Sequence, residues 1–206
     1  MIGVVDYGMG NLRSVEKALQ SVGAQTRFVT GPEGLEGLGG LVLPGVGAFG
    51  DCVRNLRATG LWEPIREWIA ADRPFFGICL GYQMLFESSE EAPGAEGLGV
   101  YAGKVVRFPQ KGAGFPLKVP QMGWNAVTVV RPGPVTEGVA DGEHVYFVHS
   151  YYPQPADEGL VAMTTDYGGP FASAVGRGRL FATQFHPEKS QAAGLRLLKN
   201  FTALAS

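Results

Sequence analysis

The chain has 206 residues, 45% of them hydrophobic and 17% charged, with a formal net charge of −2. These values exclude a mainly disordered chain, predict a single domain over residues 1–206, and give no basic excess that would favour nucleic acid or an anionic membrane as a partner. No apolar run reaches the roughly 20 residues needed to cross a bilayer and no signal peptide is expected, so Cys52 and Cys79 are predicted to be free thiols in a reducing cytoplasm.

The first part of the chain alternates short apolar runs with amphipathic segments. The apolar runs predict strands at residues 2–6, 25–30, 40–43 and 74–78. Apolar residues at helical spacing predict helices at 11–22, 61–71 and 81–87. Alternation of this kind is typical of βαβ units, so we expect a parallel sheet covered by helices on both faces.

From about residue 100 the pattern changes to strand-like segments separated by glycine and proline turns. These segments predict strands at residues 100–108, 126–130, 145–148, 160–165, 171–175 and 180–185. Because no helix intervenes, we expect antiparallel or mixed pairing there. Apolar residues at every third position from Leu195 to Leu204 predict a closing helix over 189–204. One α/β domain is the simplest account.

An apolar run leads into the sequence Gly-Ile-Cys-Leu-Gly, a G-x-C-x-G pattern centred on Cys79. A sharp strand-to-helix turn needs small residues around its central position, and Gly77 and Gly81 meet this need. Such a turn lifts the thiol off the sheet edge and points a helix N-terminus at it, which favours the thiolate. Cys79 is therefore a candidate nucleophile. The alternative is a buried structural cysteine between two turn glycines.

A second polar segment, His-Pro-Glu, follows the last predicted strand. Pro187 excludes a helix through this stretch and biases His186 toward extended geometry, so His186 and Glu188 should point the same way. A cysteine nucleophile needs this pair, because the imidazole moves a proton and the carboxylate orients the ring. The alternative is a surface histidine beside a solvated glutamate. His149, near the end of another predicted strand, is a candidate for the same cleft.

The glycine-rich segment 43–51 is a candidate oxyanion loop, because glycines leave backbone N–H groups accessible. The N–H of Leu80, directly after Cys79, is the natural second donor. A phosphate cradle and a plain turn are the alternatives, and the lack of a following G-K-[ST] excludes a P-loop. Residues 6–11 lack the third spaced glycine of a dinucleotide-binding fingerprint, and no Cys/His cluster has metal-ligand spacing.

Together the three segments resemble class I, triad-type glutamine amidotransferases, whose pattern is a G-x-C-x-G elbow, a late H-P-E and an upstream glycine-rich loop. The resemblance covers essentially the whole chain, and no reactive position departs from the pattern. It implies a flavodoxin-like α/β fold, with a parallel or mixed central sheet flanked by helices and an antiparallel β extension. Finer segments resemble one branch of the family; they are residues 6–14, 44–49, 120–125 and 146–151.

The resemblance implies glutamine hydrolysis. Cys79 would attack the side-chain amide, His186, oriented by Glu188, would protonate the departing nitrogen, and water would release glutamate from a cysteinyl thioester. The resemblance assigns oxyanion stabilisation to backbone N–H groups of Leu80, Gly45, Val46 and Gly47. It assigns the rest of the substrate pocket to Gln83, His149, Ser150 and Tyr151. No cofactor and no metal are expected.

The resemblance also implies a partner. Ammonia released into water at neutral pH is protonated and is no longer a nucleophile, so a sealed route to a second active site is expected. In the branch that the finer segments resemble, the partner is a (β/α)₈ cyclase acting on a ribonucleotide, and a heterodimer is expected. We expect Asn11, Met122 and Trp124 to face it, because Met and Trp in polar, glycine-flanked loops are unusual unless covered. The alternative is that Trp124 lies in the core.

Three other interpretations stay open at this point. They are a different triad amidotransferase subunit, a cysteine hydrolase or redox-sensing thiol on a flavodoxin-like scaffold, and an inactive amidotransferase kept as a scaffold. Segments 6–14 and 120–125 argue against the first, and the presence of all three triad residues argues against the third. Alkylation of Cys79 by a glutamine analogue would distinguish an amidotransferase from a redox thiol.

Overall fold

The computed structural model describes residues 1–109 and 117–205. Over these residues the helices are α1 Leu12–Ser21, α2 Phe49–Ala58, α3 Trp62–Ala70, α4 Leu80–Gln83 and α5 Gln191–Leu204. The strands are β1 Ile2–Val5, β2 Thr26–Val29, β3 Gly40–Gly45, β4 Phe75–Cys79, β5 Phe86–Ser89, β6 Tyr101–Arg107, β7 Gln121–Ala126, β8 Thr128–Val129, β9 His144–His149, β10 Tyr151–Pro155, β11 Val161–Asp166, β12 Pro170–Arg177 and β13 Leu180–Thr183.

The central sheet is mixed, as predicted. Its strand order is β2-β1-β3-β4-β13-β12-β11-β8. Strands β2, β1, β3, β4 and β13 are mutually parallel, and β12, β11 and β8 continue the sheet in antiparallel pairing. Two small sheets add the order β10-β6-β5 and the antiparallel pair β7-β9. The parallel half is built mostly by the first part of the chain, and β13 joins it from the end of the sequence.

The centre of the sheet is apolar on both faces. Strands β1, β3, β4 and β13 are buried at every position, which is expected of parallel strands covered by helices. Helix α5 packs against α1, and its buried face is Ala193, Gly194, Leu197, Leu198 and Phe201. None of the helices in the described residues is both long and apolar enough to cross a bilayer.

The predicted helix over 81–87 is wrong beyond its first turn. Helix α4 ends at Gln83, and Phe86–Ser89 forms β5 beside β6. Phe86 and Ser89 are buried while the two residues between them are exposed, so pairing with β6 overrides the local helical pattern. The glycine-rich segment 43–51 was predicted as a loop throughout, but α2 begins at Phe49. The strands β5, β7 and β10 are absent from the sequence prediction.

Candidate active site

Three neighbouring parallel strands end at the same edge of the sheet and place the predicted reactive segments together. In β3 and β4, Gly45 is paired with Cys79. In β13, Thr183 is paired with Ile78, so the chain leaves this strand directly beside Cys79. Carboxyl ends of parallel strands are where open α/β sheets form their sites. The adjacency of β4 and β13 therefore brings His186 to Cys79, although more than a hundred residues separate them in sequence.

The turn at Cys79 is sharp and leaves no room for larger neighbours. Cys79 has φ = 54°, a left-handed conformation that is strained for a residue with a Cβ atom. A Cβ on Gly77 would lie 2.9 Å from the carbonyl oxygen of Gly81, and one on Gly81 would overlap the carbonyl oxygen of Leu43. Helix α4 is a single turn, so its dipole favours a thiolate less than the longer predicted helix would.

His186 and Glu188 form a buried pair. Their atoms Nδ1 and Oε1 are 2.8 Å apart, and the two side chains are 2% and 1% exposed. The extended geometry predicted for this stretch holds at His186 but ends there, because a 3-10 turn begins at Pro187. The N–H of His186 donates to the carbonyl of Tyr146 in β9. The ring is therefore oriented by a carboxylate, and its backbone is held by a neighbouring strand.

The electrostatics of this pair favour a protonated ring. Burial lowers the pKa of His186, but the Cys79 sulfur and the Glu188 carboxylate outweigh it and raise the pKa from 6.5 to about 10. Nε2 of His186 has no nitrogen or oxygen partner among residues 1–109 and 117–205, and a hydrogen bond to the Cys79 sulfur is among the causes that raise the pKa of the ring. The ring thus lies close enough to Cys79 to feel its charge, while Nε2 stays available for proton transfer.

A cleft of about 270 Å³ opens at this edge of the sheet. The predicted residues that line it are Val46, Gly47, Cys79, Leu80, Gln83, His149, Ser150, Tyr151 and His186. Glu188 lies behind His186 and does not line the cleft. Gly45 is also outside it, packed so closely that a Cβ there would be 2.5 Å from the Tyr7 hydroxyl. The interface candidates Asn11, Met122 and Trp124 are not part of the lining.

Three residues of this lining were not predicted as site residues, namely Glu91 and two members of the family segments 120–125 and 146–151, Pro120 and Val148. Glu91 is the informative one, because Oε2 of its carboxylate accepts the backbone N–H of Phe49 at 2.8 Å. This bond ties the start of α2 to the cleft wall and places a carboxylate in the lining that also contains Cys79. No sequence signal marks Glu91, which follows β5 in a segment with two other glutamates at positions 87 and 90.

Two buried side chains hold carbonyl groups of the glycine-rich loop. The Tyr7 hydroxyl donates to the carbonyl of Pro44 at 2.9 Å, and the Cys52 thiol donates to the carbonyl of Val46 at 3.7 Å. Burial raises the pKa of Cys52 to about 11, so it stays a neutral donor. Cys52 and Cys79 are both free, as predicted.

The second histidine of the cleft is neutral. Burial lowers the pKa of His149 to about 4, against a smaller opposite effect of its hydrogen bond to Tyr151. Nδ1 donates to the carbonyl of Tyr151 at 2.9 Å, and Nε2 is 2.9 Å from the Gln121 amide. A neutral ring protonated on Nδ1 needs a donor at Nε2, and Nε2 of Gln121 has no other described partner. Turning the Gln121 amide over satisfies both groups.

We expect the protein to lose stability in mild acid through His149. Its pKa is near 6.5 unfolded and about 4 folded, so its contribution is present above pH 6.5 and is lost as pH falls toward 4, by up to about 3 kcal/mol. The stability contributed by the raised pKa of His186 is present below pH 6.5 and is lost only as the pH rises toward 10, so it does not change within the acid range. The free energy of unfolding, measured by denaturant titration across this pH range, should fall less in His149→Gln than in the parent protein as the pH is lowered. The exposed control His144→Gln should follow the parent. An equal fall in His149→Gln and the parent would contradict the assignment.

A second cleft, of about 160 Å³, lies near the amino end of β13 and contains none of the predicted site residues. Arg131 lines it, but its guanidinium donates to backbone carbonyls of Leu160 and Gly176. That cleft brings together none of the cysteine, histidine and carboxylate side chains found at the opposite edge of the sheet.

Comparison with known proteins agrees with this geometry. Residues 3–204 match the model of the family described as glutamine amidotransferase class-I. Imidazole glycerol phosphate synthase subunit HisH of Syntrophotalea carbinolica is 53% identical over 203 residues, which cover 98% of each chain. The protein of the same name from Rhodopirellula baltica is 53% identical over 201 residues, 98% of this chain and 96% of its own.

Solved structures agree as well. A crystal structure of a glutamine amidotransferase superposes with a TM-score of 0.76 at 25% identity, covering 99% of this chain and 98% of the other. The fold and the family resemblance predicted from the motifs are confirmed. The chain belongs to the class I glutamine amidotransferase family.

Proposed function

We propose that this chain is the glutaminase subunit of an imidazole glycerol phosphate synthase and supplies ammonia to a cyclase subunit in histidine biosynthesis. The observation that carries the proposal is the cleft in which a strained cysteine, Cys79, faces a histidine whose ring is held by a buried carboxylate. The relatives at 53% identity support the choice within the family by their names.

The reaction runs through a thioester. The sulfur of Cys79 attacks the side-chain amide carbon of glutamine, and the carbonyl oxygen becomes an oxyanion. Protonated His186 gives its Nε2 proton to the departing nitrogen, which leaves as ammonia. His186 then takes a proton from water, the resulting hydroxide attacks the thioester, and glutamate leaves as the thiolate is restored. Glu188 keeps the imidazolium oriented throughout.

Backbone groups and one carboxylate complete the site. The N–H groups of Leu80 and of the loop Gly45, Val46 and Gly47 are proposed to stabilise the oxyanion. Glutamine carries an α-ammonium group, and Glu91 is the acidic residue of the cleft lining that suits it. Gln83, His149, Ser150 and Tyr151 are proposed to hold the rest of the substrate.

The partner surface is proposed to lie on β7. Met122 is 67% exposed and Trp124 46% exposed, so the alternative that Trp124 is a core residue is wrong. Both project from a paired strand rather than a loop, and Asn11 is exposed at the start of α1. Trp124 is paired with Tyr146, whose carbonyl accepts the His186 N–H. A partner on this surface would therefore dock beside the catalytic histidine.

We expect Trp124→Ala to weaken binding of the cyclase by about thirtyfold or more, because truncating a central aromatic anchor commonly costs at least about 2 kcal/mol. Titration calorimetry measures the change. Val130→Asp is the matched control, since Val130 is an exposed apolar residue outside this surface. Unchanged affinity in Trp124→Ala would place the cyclase elsewhere.

The function is tested by measuring glutamate release under three conditions. They are the chain alone, the chain with the cyclase, and the chain with the cyclase carrying its phosphoribulosyl aminoimidazole-carboxamide ribonucleotide substrate. We expect imidazole glycerol phosphate to form from glutamine without added ammonia. Release should rise by about 10²–10³ with the loaded partner if that partner completes the oxyanion hole. A cyclase that uses added ammonia but never glutamine in the presence of this chain would refute the proposal.

We also propose that residues 1–206 form one domain and that the chain works in the cytoplasm. One continuous cluster of buried apolar residues, with members from β1 through α5, supports the first. Two free thiols, Cys52 and Cys79, support the second, because free thiols persist in a reducing compartment. Limited proteolysis would cut at an interdomain linker if the first proposal were wrong.

A further inference from the structure

A buried amide lies directly beside the nucleophile. Gln184 follows β13 and has no exposed surface. Its Nε2 is 3.6 Å from the sulfur of Cys79, within hydrogen-bonding distance for a sulfur acceptor. Its backbone N–H donates to Ser173 in β12. The residue is therefore fixed by the sheet, and its side chain reaches the reacting atom.

Hydrogen bonds on the side away from the sulfur determine which end of the Gln184 amide faces Cys79. Nε2 of Gln83 donates to the carbonyl of Tyr151 at 3.0 Å and to Oε1 of Gln184 at 3.1 Å. A backbone carbonyl only accepts, so Gln83 must turn its NH₂ group toward Tyr151. The second N–H of that group then requires the oxygen of Gln184, which leaves the NH₂ group of Gln184 facing sulfur. The chain of bonds thus presents a donor to Cys79.

We propose that Gln184 is a catalytic residue that stabilises the thiolate of Cys79 by donating a hydrogen bond to the sulfur. The proposal deepens the proposed function and rests on it, because it requires Cys79 to be the nucleophile. The side-chain N–H of Gln184 would stabilise the thiolate before it attacks glutamine, and would stabilise it again when the thioester is hydrolysed and the sulfur becomes the leaving group. A donor bonds more strongly to a charged acceptor than to a neutral one, so it shifts the balance from thiol to thiolate.

Other groups also bear on the sulfur of Cys79, which stands at the N-terminus of the single-turn helix α4 and shares the cleft with the carboxylate of Glu91. His186 faces the sulfur with a protonated ring. Tyr7, in the turn after β1, and Cys52, in α2, also lie near Cys79, but burial raises the pKa of each, and both stay neutral. Gln184 is thus a neutral side-chain donor to the sulfur that does not titrate, while His186 supplies the positive charge.

Alkylation of Cys79 by iodoacetamide, followed against pH in the full chain, tests this role. Loss of a hydrogen bond to a charged acceptor favours the thiol, so Gln184→Met should move the midpoint of the pH–rate profile up by about one unit or more and slow alkylation about tenfold or more at a pH below the parent midpoint. Gln184→Glu has nearly the same shape but presents an oxygen to the sulfur, so it should move the midpoint of the pH–rate profile further than Gln184→Met does. Gln83→Met, which frees the Gln184 amide to turn, should give an intermediate shift.

Steady-state kinetics give an independent readout. Gln184 does not line the cleft, so kcat for glutamine should fall in Gln184→Met with KM little changed. A merely structural role would lower the melting temperature without moving the pH profile. Wild-type midpoints in both Gln184→Met and Gln184→Glu would overturn the inference. If Gln184→Met does not fold, Gln184→Glu and Gln83→Met still decide the point. Failure of the parent Cys79 to react would instead refute the proposed function.

Discussion

Cys79→Ala is expected to abolish glutamate release, by roughly four to six orders of magnitude, because loss of a covalent nucleophile removes the thioester route entirely. The substitution keeps the Cβ atom, so the strain at φ = 54° is unchanged. It leaves the buried N–H of Gln184 without its sulfur acceptor, which should lower stability by about 1–3 kcal/mol without unfolding the chain. A coupled glutamate assay and thermal unfolding measure the two effects.

Cys79→Ser is the matched second variant. Its hydroxyl still accepts from Gln184, so stability should stay nearer the parent, yet a hydroxyl is a much weaker nucleophile than a thiolate and release should remain lost. A glutamine analogue bearing an alkylating group should label the parent at Cys79 and neither variant. Residual release in Cys79→Ala at more than about one part in 10⁴ of the parent would contradict the thioester mechanism.

The triad could be predicted because each of its parts leaves a local sequence signal. Gly77 and Gly81 around Cys79 mark a turn that tolerates no Cβ, and the contacts at Gly81 bear this out. Pro187 fixes the extended backbone at His186. What no local signal carries is that β13 lies next to β4, since strand order across a sheet is set by the packing of distant segments. The family resemblance supplied that step.

The unpredicted elements share a physical cause, which is dependence on partners distant in sequence. Gln121 looks like an ordinary polar residue until β7 is paired with β9 and its amide meets His149. Gln184 follows an apolar strand, and only the β4–β13 register places it against sulfur. Phe86 continues a helical pattern but belongs to β5. Such positions are decided by tertiary pairing rather than by propensity.

His186→Asn is expected to reduce glutamate release by about four orders of magnitude or more, because the leaving nitrogen loses its proton donor and water its base. Asparagine keeps a polar side chain of similar reach, so the cleft should stay assembled. The effect is measured in the same glutamate assay with the cyclase present. His144→Asn is the matched control, since His144 is exposed and, among the described contacts, its ring bonds only to the carbonyl of Gly142.

Glu188→Gln separates orientation from charge in the same pair. An amide oxygen can still accept from Nδ1, so the ring should keep its tautomer, but the negative charge that helps raise the pKa of His186 is gone. The ring then loses its proton at a lower pH, and the alkaline limb of the release profile should move to lower pH, with an activity loss smaller than that of His186→Asn. An alkaline limb that stays in place would mean that Glu188 orients the ring without tuning its proton. A loss as large as that of His186→Asn would mean that orientation itself requires the carboxylate charge.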